Sequence, residues 1–135
     1  MRASSSFLAS VAPLLVAGFA CAQQAPADAP PIKRTPLGKV EVPGSNYEVV
    51  FGIAEMAAGH KAGRHFHPGP LLVYVAEGPF WYHIDGEPER VYNAGDSFQV
   101  PDSAVHAEGA LGDRSAKVMA VYIVEKGKPL VRLPH

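Results

Sequence analysis

Glycine and proline punctuate this chain too often for helices to form. Past the first 22 residues, no window of about 12 positions carries an apolar stripe of helical period. Short apolar runs are instead cut by Gly, Pro and Asn: Pro43-Gly44-Ser45-Asn46, Pro68-Gly69-Pro70, Gly78-Pro79, Asp85-Gly86 and Asn93-Ala94-Gly95-Asp96. The 13 Gly and 13 Pro residues favour turns over helix interiors. Between the breaks, strands are expected at Val40–Val42, Tyr47–Met56, Arg64–His67, Leu71–Ala76, Phe80–Ile84, Arg90–Tyr92, Ser97–Val100, from His106, and at Lys117–Val124. Gly59–Gly63 reads as a loop, and Asp85-Gly86 is a hairpin turn. Roughly eight to ten short strands at regular spacing predict an all-β fold, an antiparallel sandwich or small barrel. At 135 residues the chain is one domain, with no internal repeat.

Residues 1–22 read as a leader outside that fold. Arg2 is the segment's one charge, Phe7 to Phe19 is an apolar block, and Ala20-Cys21-Ala22 has the form of an A-x-A cleavage site. This is the layout of a secretory signal, and the apolar block is short for a span of about 20 residues. The expectation is an exported protein, periplasmic or secreted, cleaved after Ala22. A lipoprotein anchored through Cys21 is the alternative, which the bulk of Phe19 disfavours. Cleavage removes the chain's one cysteine, so neither a disulfide nor a thiolate ligand remains. Without Arg2 the 12 basic residues become 11 against 13 acidic ones, a net charge of −2. That balance gives no footing for nucleic acid or an anionic membrane, and the mature chain has no expected membrane span. Residues 23–38 are rich in Pro and Ala and are expected to form an extended arm, with Pro26, Pro30, Pro31 and Pro36 interrupting any strand ladder. The folded domain is then 39–131.

The chemistry centres on His65-Phe66-His67. Residues i and i+2 of a strand share a face, so the two imidazoles converge while Phe66 turns away. Two histidines make half a metal site. His106, after the proline-containing turn Pro101 to Ala104, is placed to supply a third ligand. Glu108, two residues on, shares the inward face and is a candidate replacement ligand or general base. His83 is a candidate at the lining or mouth of the barrel. Phe80, Trp81 and Tyr82 read as packing residues, and Leu71, Val73 and Val75 as an apolar lining on the ligand face.

In this context the chain resembles the cupin superfamily, in its small single-domain form. Gly59 precedes His65-Phe66-His67 by the spacing of the first cupin motif, which closes at Tyr74-Val75-Ala76-Glu77-Gly78. Gly95-Asp96, Val100-Pro101 and His106 follow the second motif. The resemblance covers roughly residues 45–125. It implies a double-stranded β-helix (jelly-roll) barrel with one metal ion on His65, His67 and His106, and its edge strands and arm suggest a homodimer. Two positions depart from the pattern. Leu71 stands where a glutamate ligand falls, and Ala110 where an asparagine is common. A three-histidine shell remains, as in cupins resembling cysteine dioxygenase or diketone-cleaving dioxygenase. Neutral imidazoles leave a divalent ion its full charge, a stronger Lewis acid suited to an anionic or enolate substrate.

The implied ion is one divalent transition metal, Fe, Zn, Cu, Mn or Ni. Imidazole suits several of these, and loading outside the cytoplasm favours Cu or Zn over the Fe(II) of the dioxygenase analogy. The expected activity is a metal-dependent oxidoreductase of dioxygenase type on a small organic molecule. A metal-dependent isomerase or lyase, a non-catalytic periplasmic binder of metal or small molecules, and a metal-free barrel stay open as alternatives. Nucleophilic catalysis is disfavoured, since the mature chain lacks cysteine and shows no Ser-His-Asp context.

Overall fold

A computed structural model describes residues 31–135. The leader, Cys21 and the first part of the Pro/Ala-rich segment lie outside the described residues. Nine strands follow in order: β1 (Ile32–Glu41), β2 (Tyr47–Met56), β3 (Lys61–His65), β4 (Leu71–Glu77), β5 (Phe80–Ile84), β6 (Arg90–Tyr92), β7 (Ser97–Val100), β8 (His106–Ala110) and β9 (Ala116–Glu125). They form two antiparallel sheets, one in the order β1-β2-β9-β4-β7 and the other β3-β8-β5-β6. Among the described residues no helix is long and apolar enough to cross a membrane.

The core lies between the sheets, where period-2 alternation places one side of each strand. On β4, Leu71, Val73 and Val75 are buried while Leu72 and Tyr74 are exposed. On β9, Ala116, Val118, Ala120 and Val124 face inward. The opposite sheet contributes Phe80, Tyr82 and Ala110. Met56, Val75, Phe80 and Val124 are almost fully enclosed. Each such side chain contributes about 1.5–3 kcal/mol of transfer free energy.

The expectation of an unpaired arm over 23–38 is corrected for its second part. Residues 32–38 belong to β1 and pair with β2 from Ile32↔Met56 to Pro36↔Gly52, and a bulge between Pro36 and Gly38 resets the register. Proline is tolerated there because β1 is an edge strand and the bulge absorbs the missing N–H donor. The expected loop at Gly59–Gly63 is likewise half strand, since β3 begins at Lys61.

Two glycines bring the site-bearing strands together. A Cβ at Gly109 on β8 would run into the His60 carbonyl and into Lys61. Its absence lets β3 and β8 approach closely beside His65 and His106. Gly69 has φ 136° and presses against the Ile123 carbonyl, where no side chain fits. It fastens the loop after His67 to β9.

Candidate metal centre

His65 and His106 face each other directly across the β3–β8 pair. Opposed residues hold their Cβ atoms about 4.5–5.5 Å apart, which brings the two rings to a centroid distance of 4.4 Å. His67, two residues beyond His65, completes a triangle, 5.0 Å from each of the other rings. One ligand atom from each of the three falls within 4.8 Å of the others, and all three residues are buried.

Backbone carbonyls set the tautomers. Nδ1–H of His65 donates to the Gly63 carbonyl at 2.8 Å, that of His67 to Leu130 at 2.6 Å, and that of His106 to Ala104 at 2.8 Å. With Nδ1 committed as donor, each neutral ring presents an Nε2 lone pair, the form that binds metal. Nε2 of His65 and of His106 is buried without a hydrogen-bond partner among the described residues. Orphaned buried acceptors are costly, and a cation shared among them satisfies them. The donor set fits a divalent transition metal: three neutral imidazoles leave room for water or substrate, as catalytic sites do. The cluster can therefore coordinate a single divalent ion, whose identity its chemistry leaves open.

Burial favours the neutral form of two of the rings, His67 and His106. Burial pushes His67 down to about 4, and the neighbouring imidazoles add to this. Burial also lowers His106, against opposing contributions from the Ala104 carbonyl and Glu108. An unfolded chain takes up protons at these imidazoles near pH 6.5, whereas folded His67 resists until about pH 4. Stability of the metal-free protein is therefore full above 6.5 and lost as pH falls through that window. Between pH 7 and 4.5 His67 alone is expected to cost the fold about 2–3 kcal/mol. Urea unfolding of chelator-treated protein across this range checks it. A flat profile would mean that His67 is not held neutral.

The turn before His106 is tied to the first histidine pair. Ser103 adopts φ 58°, unusual for a residue with a side chain, and its N–H donates to the His67 carbonyl at 3.1 Å. From the other side comes the C-terminal tail. Phe66 and Arg132 exchange two backbone hydrogen bonds of 2.9 Å, and Leu130 supplies the carbonyl that orients His67. A chain ending at Lys128 loses all three bonds while leaving every strand intact. Partners of this kind are worth about 10–100-fold in metal affinity. That loss is expected in a competitive chelator titration, with an unchanged far-UV circular dichroism spectrum as the control.

Glu108 belongs to this centre. Paired with Tyr82 on β5 and two residues beyond His106, it turns inward. Its Oε1 lies 3.9 Å from His65 Nε2 and its Oε2 3.9 Å from His106 Nε2, and the side chain is 15% exposed. His83 is not brought to the site. Phe80, Tyr82 and Ile84 take the inward face of β5, so His83 points out of the sheet beside Trp81, at a ring distance of 6.2 Å. Leu71 and Ala110, at the two departures from the motif, are core residues. Two tyrosines flank the histidines and were missed as site residues. The Tyr122 ring is 5.3 Å from His67, and the Tyr82 ring 5.3 Å from His106. Burial raises both hydroxyls, Tyr122 to about 12, so they stay protonated donors. Strand parity on β9 carried a signal for Tyr122, since it shares the inward face with Ala120 and Val124.

A family model described as Cupin domain matches residues 52–122. No match to a curated protein was found. In fold the chain is similar to a cupin-like protein from Thermotoga maritima MSB8, with a TM-score of 0.63 and 22% identity over 76% of this chain and 75% of that one. It is also similar to the DMSP lyase DddQ from Ruegeria pomeroyi DSS-3, with a TM-score of 0.62 and 20% identity over 76% of this chain and 51% of that one. The polyketide cyclase RemF from Streptomyces resistomycificus gives 0.61 and 20% identity over 78% and 72%. At such identities the likeness concerns the fold.

Proposed function

The chain belongs to the Cupin domain family, and on that footing we propose that it is a metal-dependent lyase or isomerase acting on a small organic molecule, in place of the dioxygenase chemistry expected from the sequence. One observation carries the reading: the Glu108 carboxylate straddles the Nε2 atoms of His65 and His106 from 3.9 Å. A proton acceptor beside three convergent imidazoles is the equipment for breaking a C–H bond next to a carbonyl or carboxyl group. Neither the acceptor nor the reaction requires an oxidant. That DMSP lyases and a cyclase share the fold accords with this chemistry without specifying it.

A divalent ion bound by His65, His67 and His106 supplies Lewis acidity toward a substrate oxygen. The chain's own groups do the rest. Glu108 accepts the proton from carbon. The C–H electrons become a C=C bond, and a leaving group departs with its bonding pair, or the proton returns to a neighbouring carbon and the double bond moves. Tyr122, held protonated by burial, is a hydrogen-bond donor beside His67. Leu71 and Val73 give the interior an apolar wall that excludes water. Export through residues 1–22 extends the reading to a mature protein that loads its metal outside the cytoplasm.

The test is turnover of a panel of small carbonyl and carboxyl compounds by metal-loaded protein, with and without oxygen. Product formation that persists without oxygen is expected. Product that appears only with matching oxygen uptake would restore the dioxygenase. Tight metal binding without turnover in either condition would leave a binder.

A further inference from the structure

We propose that two copies of this chain pack together through the outer face of the β1-β2-β9-β4-β7 sheet, face to face rather than edge to edge. The side of that sheet turned away from the core is apolar too. On β2, Val49, Phe51 and Ile53 point outward and pair with Ile123, Val121 and Met119 of β9. On β4, Leu72 lies beside Val121 and Tyr74 beside Met119. On β1, Val40 lies opposite Val49. None of these side chains belongs to the buried core. Val40 is 63% exposed, Leu72 50% and Tyr74 46%, and the outward residues of β2 and β9 are half-buried.

Size and shape suit a second copy. Five strands about 4.8 Å apart, each with about seven residues of about 3.4 Å, make a face of about 24 by 24 Å, or about 600 Å². A monomeric protein rarely leaves an apolar patch of more than a few hundred Å² open to water, and a stable interface takes about 600–1,000 Å² from each partner. Two sheets stack about 10 Å apart with their facing side chains interdigitated. This face has the relief for it, since Leu72 and Tyr74 stand with Phe51, Met119 and Val121 around a groove of about 430 Å³. A two-fold arrangement sets Leu72 and Tyr74 of each copy into the groove of the other.

Charge points to the same occupant. Among the described residues, the charges on this side of the sheet stand at its two ends and are paired within the chain. At one end Lys33 pairs with Glu55 at 3.6 Å, and Lys117 pairs with Glu55 at 3.3 Å and with Glu77 at 3.1 Å. At the other, Lys128 pairs with Glu125 at 3.8 Å. Lysines and glutamates balance at each end, so the face has no net charge and its middle has no charge at all. A nucleic acid, an acidic segment or an anionic membrane finds no countercharge here, whereas an identical copy meets no like-charge repulsion. The face lies on the opposite side of the sheet from the histidines. Each copy therefore keeps its own centre, and association does not depend on metal.

Sedimentation equilibrium and light scattering of the full chain, from about 1 to 100 μM, read the association. Twice the mass of one chain is expected at the upper concentration. Leu72→Lys combined with Tyr74→Lys, at half-exposed positions where a monomer accommodates charge, should raise the dissociation constant about a hundredfold or more, because the dimer would bury the ammonium groups unpaired. Leu72→Gln with Tyr74→Gln adds no charge and should raise it about tenfold. Val91→Lys, 48% exposed on the edge strand β6 of the other sheet, should behave as wild type. Unchanged far-UV circular dichroism in the glutamine pair separates loss of the contact from loss of the fold. A wild-type chain that stays monomeric at about 100 μM, a dimer that survives both pairs of substitutions, or a dimer that Val91→Lys dissolves overturns the proposal. A monomer that partitions instead onto neutral phosphatidylcholine vesicles would give the face to lipid and overturn it as well.

Discussion

His106→Ala is expected to end stoichiometric metal binding. His106 is fully buried, opposes His65 across β3–β8, and presents an Nε2 with no hydrogen-bond partner among the described residues. Its removal leaves two imidazoles, one held by a loop and the C-terminal tail. Apparent metal free energies of about 10–16 kcal/mol over four ligands put each ligand near 3 kcal/mol, so affinity should fall by about two orders of magnitude or more. The substitution also opens a cavity and strips the Ala104 carbonyl of its donor. His106→Gln keeps most of the volume and separates loss of the metal from loss of the fold. Competitive chelator titration, with thermal unfolding in parallel, checks both variants. Wild-type affinity in His106→Ala would remove this residue from the ligand set.

Glu108→Gln is expected to have the largest effect on turnover. Glutamine preserves the shape and the register opposite Tyr82 but is no proton acceptor at neutral pH. General-base catalysis is typically worth about 10²–10⁴-fold, and a fall of that size in kcat is expected with metal affinity within a fewfold of wild type. A fall in metal affinity comparable to that of His106→Ala would instead make Glu108 a fourth ligand, the carboxylate that Leu71 does not provide. Unchanged kcat would dismiss it from the chemistry.

How far the sequence revealed this site depends on how local each cause is. The strand at Phe80–Ile84 and the pairing of His65 with His67 on one face follow from apolar alternation and from turn residues a few positions away. The same parity placed Glu108 inward. With Phe80 and Tyr82 on the inward face of their strand, parity also turns His83 outward. Proline misled at Pro36, because tolerance there depends on an edge position and a bulge, neither of which is local. The carbonyl that orients His67 belongs to Leu130, 63 residues away, and no pattern in the sequence announces it.

The most direct test of the metal centre is X-ray absorption fine structure on protein loaded with one equivalent of Zn(II). Three imidazole nitrogens at about 2.0–2.1 Å, completed by oxygen ligands, are the expected shell, and one nitrogen should disappear in His106→Gln. A wild-type shell of oxygens with fewer than two imidazoles, or failure to retain the ion, would contradict the account.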